Sequence, residues 1–123
     1  MATTETYQRL LDSEQLTSQD IKDLLDARKS NLINFTLVDV REWMEWHQKR
    51  IIGTDVLVPT TSFYQALEQI EDKKDENIIL YCFTGSRSFQ CQQVMKNMGF
   101  KHVSNHTRGI IDYKGACTSG DEE

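Results

Sequence analysis

The sequence predicts an α/β fold, a parallel sheet with helices on both faces. Two observations lead there. Short apolar runs at residues 35–40, 55–59 and 78–81 alternate with stretches of helical period, the pattern of strands joined by crossover helices. One of those runs, Ile78-Ile79-Leu80-Tyr81, passes into Cys82-Phe83-Thr84-Gly85-Ser86-Arg87-Ser88 and then into a helical pattern. That is a strand, a tight loop and a helix start.

Taken in order, residues 1–12 are polar with apolar positions at Tyr7, Leu10 and Leu11. They read either as a frayed, flexible arm or as a short helix packed on the domain, which is placed at 13–115. Thr17-Ser18-Gln19-Asp20 is a helix start of capping-box type. Ile21, Leu24 and Leu25 then follow at helical spacing, with Arg28-Lys29 at the far end, where bases suit the helix dipole. Phe35-Thr36-Leu37-Val38-Asp39-Val40 reads as a buried strand. Asp39 at its end is either a neighbour of a site or a structural acid. Arg41 either pairs with Asp39 or meets an incoming anion.

Glu42-Trp43-Met44-Glu45-Trp46-His47 starts a short helix. Residues 55–59 form the next strand, ended by Pro59, the only proline. Thr60-Thr61-Ser62 caps a helix carrying Phe63, Leu67 and Ile70, and the charged residues 71–76 form a solvated linker. After the loop, Phe89, Cys91, Val94, Met95 and Met98 are expected on one helix face, stopped by Gly99. His102-Val103-Ser104-Asn105 begins the last strand. Residues 116–123 read as a disordered polar tail with Cys117 as an exposed thiol.

The chain has 123 residues, enough for one domain that buries about two-thirds of its unfolded surface. Its formal net charge of −5 argues against a general binder of nucleic acid or anionic membrane. No apolar run reaches membrane-spanning length. Three cysteines do not form a disulfide framework, and a reducing, cytoplasmic setting is expected, with no signal peptide at the N-terminus. A monomer is favoured. His47, His102 and His106 have no ligand-type spacing with the cysteines, so no metal site is expected; no cofactor is expected either. His106 lies near the strand ends and could approach a site there.

The loop at 82–88 is the candidate site. A helix start leaves N–H groups without partners and carries partial positive charge. A loop curling ahead of it makes an anion-binding concavity. A cysteine there is favoured as the nucleophilic thiolate by those dipoles and by Arg87. Gly85 permits the turn, and Thr84, Ser86 and Ser88 add hydroxyls. Two readings stand on the residues alone: Cys82 is a nucleophile in an anion cradle, or it is a buried strand-end thiol beside a surface arginine.

Asp39-Val40-Arg41-Glu42, then 81–88, then Gly99-Phe100, then Arg108-Gly109-Ile110 resemble the ordered signatures of a single-domain rhodanese, a rhodanese-like sulfurtransferase. The resemblance runs from about Leu16 to Tyr113. It implies a three-layer fold around a five-stranded parallel sheet. It further implies a thiosulfate or persulfide sulfurtransferase of sulfur metabolism. Cys82 would be catalytic and carry the sulfur as a persulfide. Phe83, Thr84, Gly85, Ser86, Arg87 and Ser88 would bind substrate. The partners implied are a small sulfur-containing anion, a thiol or persulfide, or a protein thiol acceptor. Asp39 is then a structural acid.

Four residues separate Cys82 from Arg87. Cysteine phosphatases of the related fold and arsenate reductases have five there, and the shorter loop suits a thiolate carrying one extra sulfur. A low-turnover sulfur carrier or regulatory binding module is the alternative. Trp46 falls on a core aromatic position of such sequences, and Trp43 on one that often holds Pro. Trp43 would be a contact-surface residue or lie along its own helix. Lys49-Arg50 replace a usual Gly-His pair, and Arg108 departs from the usual Gly-Gly pattern and would narrow or charge the entrance. Cys91 takes the place of a small buried residue, a resolving thiol or inert packing. Cys117 is an ordinary thiol or a sulfur acceptor.

Overall fold

The architecture follows from two alternating faces of one strand. In the computed structural model, which describes residues 3–120, β5 spans Asn77–Tyr81 at the centre of the sheet. Ile78, Leu80 and Cys82 point to one side and Ile79 and Tyr81 to the other, each set into its own apolar cluster. A strand buried on both faces needs cover on both, and a parallel sheet supplies it through its crossover helices.

Five parallel strands form the sheet in the order β1-β6-β5-β2-β4. These are β1 (Gln15–Leu16), β2 (Thr36–Asp39), β4 (Val56–Leu57), β5 and β6 (His102–His106). On the Tyr81 face lie α1 (Thr4–Leu11) and α2 (Ser18–Lys29), burying Leu11, Ile21, Leu24 and Ala27 against Leu37 and Ile79. On the Cys82 face lie α4 (Phe63–Ala66), the 3-10 turns after it, and α5 (Ser86–Asn97), burying Phe63, Leu67, Cys91 and Met95. Both expected features are present: an α/β sandwich and a five-stranded parallel sheet.

Local chemistry sets the boundaries. Thr17 caps α2 in a reciprocal capping box with Asp20, as its sequence requires. Residues 3–12 resolve the choice left open for the N-terminus. Thr3 caps α1, and Leu11 is buried, so this segment is a packed helix. Pro59 ends β4, but the following helix is broken into a single α-turn flanked by 3-10 segments, with a kink at Ile70. Its three expected apolar residues are buried nonetheless.

Three expectations are corrected. Residues 116–120 are not a disordered tail. Cys117–Thr118 form β7, which pairs antiparallel with β3 (Arg50–Ile51). Arg50 Nη1 also donates to Gly120 O at 2.8 Å, and Cys117 is half-buried. Residues 121–123 lie outside the described residues. Trp46 is not a core aromatic, because α3 (Trp43–Gln48) buries none of its residues and Trp46 instead carries the Arg50 guanidinium 4.5 Å above its ring. In α5, Phe89 is 48% exposed while Gln92 is fully buried. Gln92 replaces apolar contact with hydrogen bonds, donating to Glu14 O and Val103 O. Among the described residues, no helix is long and apolar enough to cross a membrane.

The end of β2 is held by a buried ion pair. Asp39 is fully buried and Arg41 is 3% exposed. Arg41 Nε and Nη2 bind the Asp39 carboxylate at 3.0 and 2.8 Å, and Nη2 also donates to Lys49 O. This pair joins the strand to the segment between α3 and β3. Asp39→Asn leaves the guanidinium buried without its counter-charge. We expect it to cost about 3 kcal/mol or more in urea unfolding. A midpoint within error of wild type would show that the pair is dispensable.

Candidate functional site

Cys82 follows the last residue of β5 and its side chain turns toward α5. Its Sγ receives the Gly85 N–H at 3.1 Å and the Ser88 N–H at 3.4 Å. Ser88 Oγ lies 3.3 Å from Sγ and 3.2 Å from Gly85 O, and its single proton serves one of them at a time. These donors stabilise negative charge on the sulfur. The N–H groups of Phe83, Thr84, Ser86 and Arg87 donate to no protein acceptor among the described residues. Ser86 and Arg87 are the first residues of α5, where such orphan donors are expected.

The loop reverses through Gly85, which caps α5 at φ +99. A Cβ there would meet Thr107 O at 1.9 Å, so only glycine fits. The loop is also pinned from behind. Ile110 N–H donates to Cys82 O at 2.9 Å and Ile111 N–H to Phe83 O at 3.2 Å. The Gly109 backbone passes so close that a Cβ would lie 2.2 Å from Phe83 O. Asn105 Nδ2 binds Gly85 O at 3.3 Å.

Arg87 does not reach the sulfur as a donor. Its Nη1 and Nη2 bind the two oxygens of Glu45, on α3, at 2.8 and 2.9 Å. That clamp holds the Glu45 carboxyl down from its ordinary 4.5 to about 2, against the opposing effect of burial. It raises Arg87 further, to which the nearby charge of Cys82 adds. Arg87 thus contributes positive potential to the loop while its hydrogen bonds brace the loop against α3.

The other candidates separate clearly. Asp39 and Arg41 are paired below the loop. Thr84 and Ser86 are exposed and make no side-chain hydrogen bond among the described residues. Phe83 is 44% exposed beside Ile111, which is exposed too, and Trp43 is exposed on α3 against His47. Cys91 is buried one helical turn beyond Ser88, its thiol pushed up to about 11 by burial and then by the charge of Cys82. Burial also raises the Cys117 thiol. His106 stays on the opposite face of the sheet against Tyr113. Burial lowers it to about 4, and neither ring nitrogen has a partner. Arg108 is exposed. Among the described residues, no group of acidic, histidine or cysteine side chains could hold a metal ion.

Two contributors escape sequence reading. Glu45 lies 42 residues from Arg87 and Asn105 lies 20 from Gly85. No local spacing links either pair. Only the parallel register brings them together.

The model of the rhodanese-like domain matches residues 13–116. The chain belongs to the rhodanese-like domain family. This rhodanese-like domain is 29% identical over 113 residues to a tRNA uridine(34) hydroxylase of Photorhabdus laumondii, covering 89% of this chain and 30% of that protein. It is 28% identical over 96 residues to a probable adenylyltransferase/sulfurtransferase, MoeZ, of Mycobacterium tuberculosis, covering 78% and 23%. The chain spans about a third or less of the curated relatives it matches. Its fold is that of a rhodanese-like domain from Anabaena, with a TM-score of 0.73 at 19% identity over 87% of this chain and 80% of that one. A thiosulfate sulfurtransferase from Pseudomonas aeruginosa gives 0.73 at 19%, covering 88% of this chain and 20% of that one. Relatives named for sulfur transfer therefore occur at low identity.

Two measurements test the loop. Gly85→Ala should lose more than about 1 kcal/mol of stability, because neither the positive φ nor the Thr107 carbonyl accommodates a methyl group. Unchanged thermal unfolding would contradict that. Glu45 is held below its ordinary value, so the folded state binds fewer protons than the unfolded state between pH 5 and 2. Its stabilisation is present above that window and is lost as pH falls through it. Acid titrations of unfolding should show a shallower decline for Glu45→Gln than for wild type, and parallel curves would remove Glu45 from the account.

Proposed function

We propose that this domain is a sulfurtransferase that moves a sulfane sulfur through a persulfide on Cys82. The observation that carries the reading is the set of donors converging on one sulfur atom, with further unpartnered N–H groups around the same turn. The Cys82 thiolate attacks the outer sulfur of thiosulfate, a polysulfide or a persulfide. The Cys82 Sγ–S bond forms as the donor S–S bond breaks, and the bonding pair leaves with the donor remnant, sulfite in the case of thiosulfate. A thiol, or cyanide in an assay, then attacks the outer sulfur, and the pair from the Sγ–S bond returns to Cys82.

Each loop residue has a place in this scheme. Gly85 N–H, Ser88 N–H and Ser88 Oγ hold charge on Sγ before sulfur arrives and after it leaves. The N–H groups of Phe83, Thr84, Ser86 and Arg87 are free to meet the added sulfur. The Arg87 charge favours an anionic donor nearby without binding Sγ directly. The reading invokes no separate base, and the donors around Sγ are placed to hold the charge of an attacking thiolate. A reducing, cytoplasmic setting suits this chemistry, because it keeps Cys82 a free thiol.

Intact-protein mass spectrometry after treatment with thiosulfate or polysulfide should show a gain of one sulfur, absent in Cys82→Ser. No gain in the wild type, or the same gain in the variant, rejects the reading. Ser88→Ala removes one donor from Sγ and should slow loading by about tenfold. Turnover with small donors separates an enzyme from a low-turnover carrier, which would load once and stop.

A further inference from the structure

Beside the loop lies a cavity of about 290 Å³, at the lower edge of the size that holds a small ligand. Phe83, Ile110 and Ile111 form an apolar wall, and Arg41, Gln48 and Lys49 a polar one. Phe83 follows Cys82 directly, and Ile110 holds the Cys82 carbonyl, so the cavity is built onto the catalytic turn.

Its charges are mostly spent. Arg41 is paired with Asp39, and Glu45, which also lines the cavity, is paired with Arg87. Two features remain. Arg41 is 3% exposed and commits Nε and Nη2, while its Nη1 donates to nothing among the described residues. Lys49 makes no ion pair among the described residues, and its carbonyl is bound by Arg41, which ties the two residues together at the cavity they both line. One uncompensated ammonium and one spare guanidinium N–H suit a monoanion with planar oxygens, a carboxylate, better than a phosphate dianion facing Glu45. The apolar wall then takes a short hydrocarbon linker toward the loop.

We infer that this cavity is an acceptor subsite for a low-molecular-weight thiol that carries a carboxylate. The inference rests on the proposed persulfide chemistry and names the acceptor of that same site. The carboxylate docks at Lys49 and Arg41 Nη1. The acceptor thiolate attacks the outer sulfur of the Cys82 persulfide. A new S–S bond forms on the acceptor, the Sγ–S bond breaks, and its electron pair stays on Cys82 Sγ. The product is the acceptor's persulfide, and no oxidant or reductant enters.

The test loads Cys82 beforehand, verifies the load by intact mass, and measures kcat/KM for three acceptors of similar size: 3-mercaptopropionate, 2-mercaptoethanol and cysteamine. The readout is the ratio of the anionic to the neutral acceptor, compared between proteins, so that intrinsic thiol reactivity cancels. Lys49 is exposed, and its substitution disturbs no buried contact. The ratio should fall about threefold or more in Lys49→Gln and further in Lys49→Glu, where cysteamine gains. In the wild type it should shrink as salt is raised. Sulfur loading followed by ratios that agree within about twofold across all three proteins overturns the subsite and leaves the proposed function standing. Absence of loading overturns both.

Discussion

Cys82 Sγ receives hydrogen bonds from Gly85 and Ser88, and this requires the chain to reverse direction within three residues of the thiol. The reversal is possible because Gly85 takes a left-handed conformation against the Thr107 carbonyl. The rest of the molecule is arranged around that turn. β6 must run beside β5 to bring Thr107 there, and the segment after β6 must pass behind the loop so that Ile110 and Ile111 hold it. The helix that begins at Ser86 then has no choice of direction. Its first turn points its N–H groups at the place where sulfur chemistry is proposed.

Charge at this end of the sheet is organised in closed pairs. Asp39 takes Arg41, Glu45 takes Arg87, and Glu42 accepts from the Thr60 and Thr61 hydroxyls. The chain has a net charge of −5, yet Asp39 and Glu45 at this mouth are each matched by a guanidinium. These contacts also join separate elements: Arg41 ties β2 to the segment before β3, Glu45 ties α3 to α5, and Glu42, the residue before α3, reaches Thr60 and Thr61 ahead of α4. The half-exposed Glu45–Arg87 pair is worth little as a bare attraction, unlike the buried Asp39–Arg41 pair. Their effect here is to hold orientation, which is what a site built on backbone N–H groups needs.

The loop and its flanking strand and helix were legible in the sequence because their determinants are local: an apolar run, a turn glycine and a helix start in consecutive residues. The sheet was legible for the same reason, strand by strand. What escaped was long-range. Arg87 reads as an anion ligand until Glu45 is known to face it. Phe89 leaves its expected face and Gln92 is buried in α5, because a buried amide can be satisfied by Glu14 and Val103, which no helical period reveals. The last residues read as a disordered tail because a two-residue strand carries almost no pattern, and its partner, Arg50–Ile51, is equally short.

The hydroxyl of Ser88 stands between two acceptors, the sulfur and the Gly85 carbonyl. Asn105 holds that same carbonyl independently. When sulfur gains charge the hydroxyl can swing to it, and when sulfur loses charge it can swing back, while the carbonyl keeps a donor throughout. The site can therefore follow the charge cycle of its thiol by rotating one bond. In the proposed persulfide cycle this rotation asks no movement of the backbone, so each step requires little reorganisation of the turn.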